Sequence, residues 1–126
     1  TLRHSSAASD VYKRQAIGSV ANFLNKKGKW KTDVPVAIKA FATSEIDTFK
    51  SSFKPYMTQI ELAKFGLKTK ESIPNNLKFV PIALELQNGK EYWLGFDNYQ
   101  SISRYNRSKL YVMAVFEFSN ALSEFL

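Results

Sequence analysis

The chain has 126 residues, 44% of them hydrophobic, with ten Phe, six Tyr and two Trp. That is a single domain or a piece of a larger one, with enough apolar surface to exclude disorder over most of its length. It has no cysteine and a formal charge of +7, which removes disulfide frameworks, thiolate catalysis and cysteine-ligated zinc, and favours anionic partners.

Thr1–Gln15 (TLRHSSAASDVYKRQ) is small, polar and aperiodic, and has no apolar core of the roughly 7–15 residues a secretory signal needs. It reads as a non-native leader ahead of a native part spanning 16–126. A flexible N-terminal arm is the other reading. From Ala16 to about Lys26, Ile17, Val20, Phe23 and Leu24 recur at helical spacing, and Gly28 reads as the stop. The basic cluster Lys26–Lys31 (KKGKWK) suits a helix C-terminus with Trp30 packing back on its own helix. Phosphate contact by the lysines is the alternative.

Val34–Phe41 is rich in β-branched and aromatic residues and reads as a strand. Glu45–Phe53 and Met57–Phe65 read as two short helices separated at Pro55, and Gly66 ends the second. Leu67–Asn76 reads as a loop. Phe79–Leu86 is the next strand, and Asn88-Gly89 is a hairpin signal returning into Glu91–Phe96. Asp97-Asn98 can cap a short helix through Tyr99 and Ile102, and Ser108 can cap a last helix. The apolar positions of that helix are Leu110, Tyr111, Ala114, Val115, Phe118, Leu122 and Phe125.

The expected fold is therefore α+β. An N-terminal helix, a small three-stranded antiparallel sheet with short helices, and a C-terminal helix packed on the first make it up. No apolar run approaches the roughly 18 residues of a membrane span. His4 lies in the leader, so histidine-based catalysis has no candidate. There is no glycine-rich phosphate loop or calcium-binding loop, so no cofactor and no metal site are expected. Glu45, Asp47, Glu61, Glu85, Glu91 and Glu117 fall at solvent-facing positions or helix starts, without the apolar setting a catalytic acid requires. No catalytic residue is assigned.

Arg104–Tyr111 (RYNRSKLY) differs from the rest. Tyr105 and Tyr111 bracket an amide, a guanidinium and a hydroxyl where two helices meet. Aromatic faces pack on the C–H surface of a sugar, and an Asn amide offers a donor and an acceptor to an N-acetyl group. The same residues can equally be core-edge tyrosines, a turn former and a helix cap.

Two stretches at the ends of the native part add to this. Ala16–Trp30 (AIGSVANFLNKKGKW) and Asn98–Leu122 (NYQSISRYNRSKLYVMAVFEFSNAL) resemble the lytic murein transglycosylase B family. The intervening order, with LAKFGLK at Leu62–Lys68 and a hairpin before the RYN run, is similar too. The resemblance implies a part of a lysozyme-like domain. It implies cleavage of the β-1,4 bond between N-acetylmuramic acid and N-acetylglucosamine in peptidoglycan, leaving a 1,6-anhydromuramyl end. One family glutamate serves as acid and then as base, and the muramyl C6 hydroxyl is the nucleophile. Tyr105, Asn106 and Tyr111 would then line the sugar groove, while Arg104 supports the loop. The family's glutamate precedes the AIGSVAN helix, and no glutamate precedes Ala16 here. The resemblance thus implies a C-terminal fragment of such an enzyme, inactive by itself, or else a carbohydrate-binding module without catalysis. Peptidoglycan strands are the expected partner and nucleic acid is not. The expected state is a monomer, in the periplasm or cell envelope.

Overall fold

A computed structural model describes residues 14–15, 18–24, 30–31, 33–46, 49 and 52–125, with side chains to residue 120. Residues 14–15 and 18–24 are helical, so helix is present ahead of Ala16. Gly28 and Lys26–Lys29 lie outside the described residues. The elements that follow are β1 (Ala37–Ala42), α1 (Gln59–Phe65), β2 (Leu67–Thr69), β3 (Val80–Leu86), β4 (Gly89–Gly95), α2 (Asp97–Ser103) and α3 (Lys109–Phe125). The architecture is α+β, as the sequence implied.

The sheet is antiparallel with the order β2-β1-β4-β3. It has four strands, not three. The extra strand is β2, which falls in the stretch read as a loop. Gly66 ends α1 with φ 98° and its N–H reaches the Leu62 carbonyl at 3.2 Å, a left-handed cap that glycine adopts without a Cβ penalty. That cap turns the chain directly into the edge of β1, where Ala42 pairs with Leu67 and Ala40 with Thr69. Three residues are too few to show a period of two.

Pro35 cannot donate to a ladder, and β1 begins beyond it at Ala37. Phe79 makes an isolated bridge to Met57, so β3 starts at Val80. In the hairpin, Leu86 pairs with Gly89 and the turn residues are Gln87 and Asn88, one position earlier than the dipeptide suggested. Gly89 takes the positive φ of 128°.

Side chains alternate across the sheet into two cores. On one face Ala37, Val80, Ile82 and Leu84 meet Val20 of the N-terminal helical segment, Tyr99 and Ile102 of α2, and Val112 and Met113 of α3. On the other, Ile38, Ala40 and Leu94 meet Leu62 of α1, with Met57, Leu67, Phe79 and Phe96. The C-terminal helix thus shares a core with the first helical segment. Its buried positions are Val112 and Met113, whereas Leu110 is 62% exposed and Ala114 is exposed. The face read from the sequence was rotated, because LYVMAVFEF is apolar on nearly every side and periodicity cannot choose among them. Leu122 and Phe125 have side chains outside the described residues.

Glu45–Phe53 is not the helix expected of it. Its described residues 45, 46, 49, 52 and 53 carry no helical turn. Ile46 packs into the second core and Phe49 lies 5.3 Å from the Phe65 ring, while Phe53 joins the first core. One short helix face cannot serve both sides of a sheet.

Candidate functional site

The candidate corner is assembled by α2, α3 and the turn between them. Arg104 and Tyr105 close α2 with backbone bonds to Ser101 and Ile102 carbonyls at 3.2 and 2.9 Å. Ser108 then caps α3: its hydroxyl accepts from the Tyr111 N–H at 3.2 Å. The cap role read from the sequence holds. It also fixes Tyr111 in the first turn of α3, one helical turn from Tyr105 across the break.

The two tyrosine rings lie 6.2 Å apart at 17°, stacked on each other. Phe23 of the N-terminal helical segment meets Tyr105 edge-on at 5.5 Å and 71°. Tyr105 remains 43% exposed, Asn106 is exposed and Tyr111 is half-buried. All three residues named from the sequence are therefore brought to one corner, with the polar groups at the surface. Arg104 donates from Nη1 to the Ser101 hydroxyl at 3.2 Å, tying the turn to α2. Arg107 lies with its guanidinium carbon 5.1 Å from the Phe53 ring centre, and Phe53 stacks on Tyr99 at 5.6 Å and 28°. In the sequence Phe23 and Phe53 mark only the apolar spacing of their own segments; each reaches the corner through the tertiary fold.

Asn98 is placed differently from the helix cap expected of it. Phe96 is the N-cap of α2, and Asn98 is turned inward and is fully buried. Its Oδ1 accepts from the Lys31 N–H at 2.8 Å, and its Nδ2 donates to the Lys31 and Val34 carbonyls, each at 2.7 Å. Asp97 pairs with the Lys31 ammonium. The segment leading into β1 is thereby fastened to the start of the helix that carries the corner.

A groove of about 920 Å³ runs between residues 20–24, the sheet and α3. Trp30, 43% exposed, lines it with Leu24, Trp93 and Phe116. At the polar side of the sheet face, Lys39 pairs with Glu91 at 2.8 Å and lies 5.1 Å over the Trp93 ring. The Trp93 indole N–H donates to Glu91 at 2.9 Å.

The Lys39 hydrogen bond, aided by Trp93, holds Glu91 below its ordinary value. Glu117 is raised, first by partial burial and then by the Glu91 charge. A depressed carboxylate stabilises the fold above its unfolded titration range, and that contribution is lost as pH falls through its folded one. Glu91→Gln removes the like charge and leaves Lys39 in place. Glu117 is therefore expected to titrate at lower pH in that variant, as read by NMR of its carboxyl carbon; an unmoved or raised midpoint contradicts this coupling.

Among the described residues there is no group of three or more His, Asp or Glu able to hold a metal ion. Among the same residues no helix is long and apolar enough to cross a membrane.

Residues 7–120 match the transglycosylase SLT domain. The chain is 32% identical over 108 residues to membrane-bound lytic murein transglycosylase B of Escherichia coli K12, covering 86% of this chain and 29% of that protein. It is similar to the Escherichia coli lytic transglycosylase Slt35 solved in complex with bulgecin A, at a TM-score of 0.72 and 32% identity, covering 86% of this chain and 33% of that one. Soluble lytic transglycosylase SltB1 from Pseudomonas aeruginosa superimposes at a TM-score of 0.68 with 32% identity, covering 86% and 36% of the two chains. The chain spans about a third of the length of these relatives. With this fold and this match over most of its length, the chain belongs to the transglycosylase SLT domain family.

Proposed function

We propose that this chain forms one wall of the glycan groove of a peptidoglycan lytic transglycosylase, with Tyr105, Asn106 and Tyr111 facing the sugar. The reaction of the whole enzyme would be scission of the bond between N-acetylmuramic acid and N-acetylglucosamine with formation of the 1,6-anhydro end. The observation that carries this reading is the single corner holding the stacked tyrosines, with Asn106 exposed next to Tyr105 in the chain. The rings offer apolar faces to sugar C–H groups, and the amide offers both halves of a hydrogen-bonding pair to an N-acetyl group.

The catalytic acid is assigned to the part of the family domain that precedes the counterpart of Ala16. Of the carboxylates described near the groove, Glu91 is locked by Lys39 and Trp93, and Glu117 lies on α3, partly exposed and raised by its partial burial and the Glu91 charge. The chain by itself therefore holds glycan without cutting it, acting on the cell envelope as a monomer. A binding module without catalysis is the second reading, favoured by the same exposed Tyr105–Asn106 pair.

Co-sedimentation with insoluble peptidoglycan tests the proposal. The chain should be carried into the pellet without releasing soluble muropeptides, and Tyr105→Ala with Asn106→Ala should remain in solution. Release of anhydromuropeptides by the purified chain overturns the assignment of the acid. Failure of the native chain to sediment overturns the assignment of the corner.

A further inference from the structure

Arg107 lies between Asn106 and Ser108 in the turn that carries the sugar-facing groups, and it is exposed. Its guanidinium rests 5.1 Å from the ring centre of Phe53. Phe53 is itself half-buried and backed by the buried Tyr99 ring at 5.6 Å. A guanidinium laid on a supported aromatic face is held in place while its N–H edge stays available to a planar acceptor.

No carboxylate occupies that edge among the described residues, where the two ion pairs are Lys31–Asp97 and Lys39–Glu91. The turn and first helical residue, Arg104–Lys109, contain three cations and no acid. Lys109 is occupied by the Ala83 carbonyl at 2.7 Å, and Arg104 is tied to Ser101. Arg107 is thus the cation of this turn left with no acceptor among the described residues. A neutral sugar has no use for it, since the rings and the amide already satisfy its C–H faces and acetamido group.

We propose that Arg107 is a specificity residue that reads a carboxylate borne on the sugar at the Tyr105–Asn106 corner. The planar fork and the carboxylate match in a bidentate pair, which gives orientation as well as affinity. Acidic N-acetyl glycans are then preferred over neutral ones of equal length. The inference rests on the reading of the corner as a sugar site. Two sources of the carboxylate fit: the lactyl acid of a peptide-free muramyl unit, or the acids of a stem peptide.

The test measures Kd for three ligands of matched length: a neutral N-acetylglucosamine oligomer, a peptide-free muramyl glycan and a peptide-bearing one. The native chain is expected to prefer acidic ligands by about tenfold, a gap that narrows as salt is raised. Preference for the peptide-free muramyl glycan alone assigns the lactyl acid, which a stem peptide caps as an amide. Preference for the peptide-bearing one alone assigns the stem, and preference for both shows that Arg107 accepts a carboxylate from either source. Arg107→Gln should remove the preference and leave neutral-oligomer binding within about twofold, and Arg107→Lys should restore part of it as a point charge. Equal affinities in the native chain overturn the inference. So does a preference that survives Arg107→Gln, or an equal loss for neutral and acidic ligands in that variant. If the native chain binds none of the three, the reading of the corner falls and the inference falls with it.

Discussion

Replacing Gly95 with alanine is expected to destabilise the chain by about 3 kcal/mol, the upper part of the usual range for overpacking a filled core. Gly95 closes β4 and pairs with Ala37 on one side and Val80 on the other. A Cβ built there would lie 2.7 Å from Tyr99 Cγ, 2.8 Å from Tyr99 Cδ2 and 2.9 Å from Ile82 Cδ1. Neither neighbour can retreat cheaply. Tyr99 is 1% exposed and Ile82 2%, and both sit in the first core. Burial is deep enough to hold the Tyr99 phenol above its ordinary value. Displacing Tyr99 also disturbs Phe53, which stacks on it, and through Phe53 the seat of Arg107. The variant should melt roughly 10 °C or more below the native chain and show a weakened near-ultraviolet tyrosine signal. A melting temperature within about 2 °C of native contradicts the packing described for this strand end.

Asn98→Ala should cost about 2–4 kcal/mol, from three hydrogen bonds in a site with no exposed surface. The Lys31 N–H and two carbonyls lose their partner, and water has little room to replace it. Asn98→Asp should do no better. Its carboxylate keeps the acceptor for Lys31 N–H but presents charge to the two carbonyls that Nδ2 had satisfied. Amide exchange at Lys31 and Phe96 reports the effect locally. The Phe96 N–H donates to the Val36 carbonyl beside the clamp, so its exchange should quicken when the segment ahead of β1 is released. Stability within about 0.5 kcal/mol of native in both variants would show that Asn98 does not fasten this segment.

The physical reason some features were legible and others were not lies in how local their causes are. Ser108 is a cap because a hydroxyl ahead of an apolar helix satisfies an N–H in the first turn, a relation three residues long. Gly66 and the β3–β4 hairpin are equally local, and their signals stood in the chain. The position of Tyr105, Asn106 and Tyr111 at one corner was readable for the same reason, since all three lie within seven residues around one helix break.

Asn98 gave a misleading signal. As a residue beside Asp97 it resembles a helix cap, yet its partners lie 64 and 67 positions away. β2 exists because Gly66 delivers Leu67 to the free edge of β1, not because three residues prefer to be extended. Ile46, Phe49 and Phe53 have helix-like spacing, but they are divided between two sides of the sheet. The Lys39–Glu91–Trp93 cluster joins strands β1 and β4 through register alone, since Lys39 pairs with Trp93 across the ladder. Sequence patterns over one element do not contain register between two.

The measurement that bears most directly on the central reading is the affinity of the chain for insoluble peptidoglycan, with and without the corner side chains. Loss of one aromatic platform and one paired amide should weaken binding by about a hundredfold in Tyr105→Ala with Asn106→Ala. Both side chains are largely at the surface, so the variant should keep the native melting temperature within a few degrees. Binding that survives unchanged in a folded double variant would contradict the assignment of Tyr105 and Asn106 to the glycan.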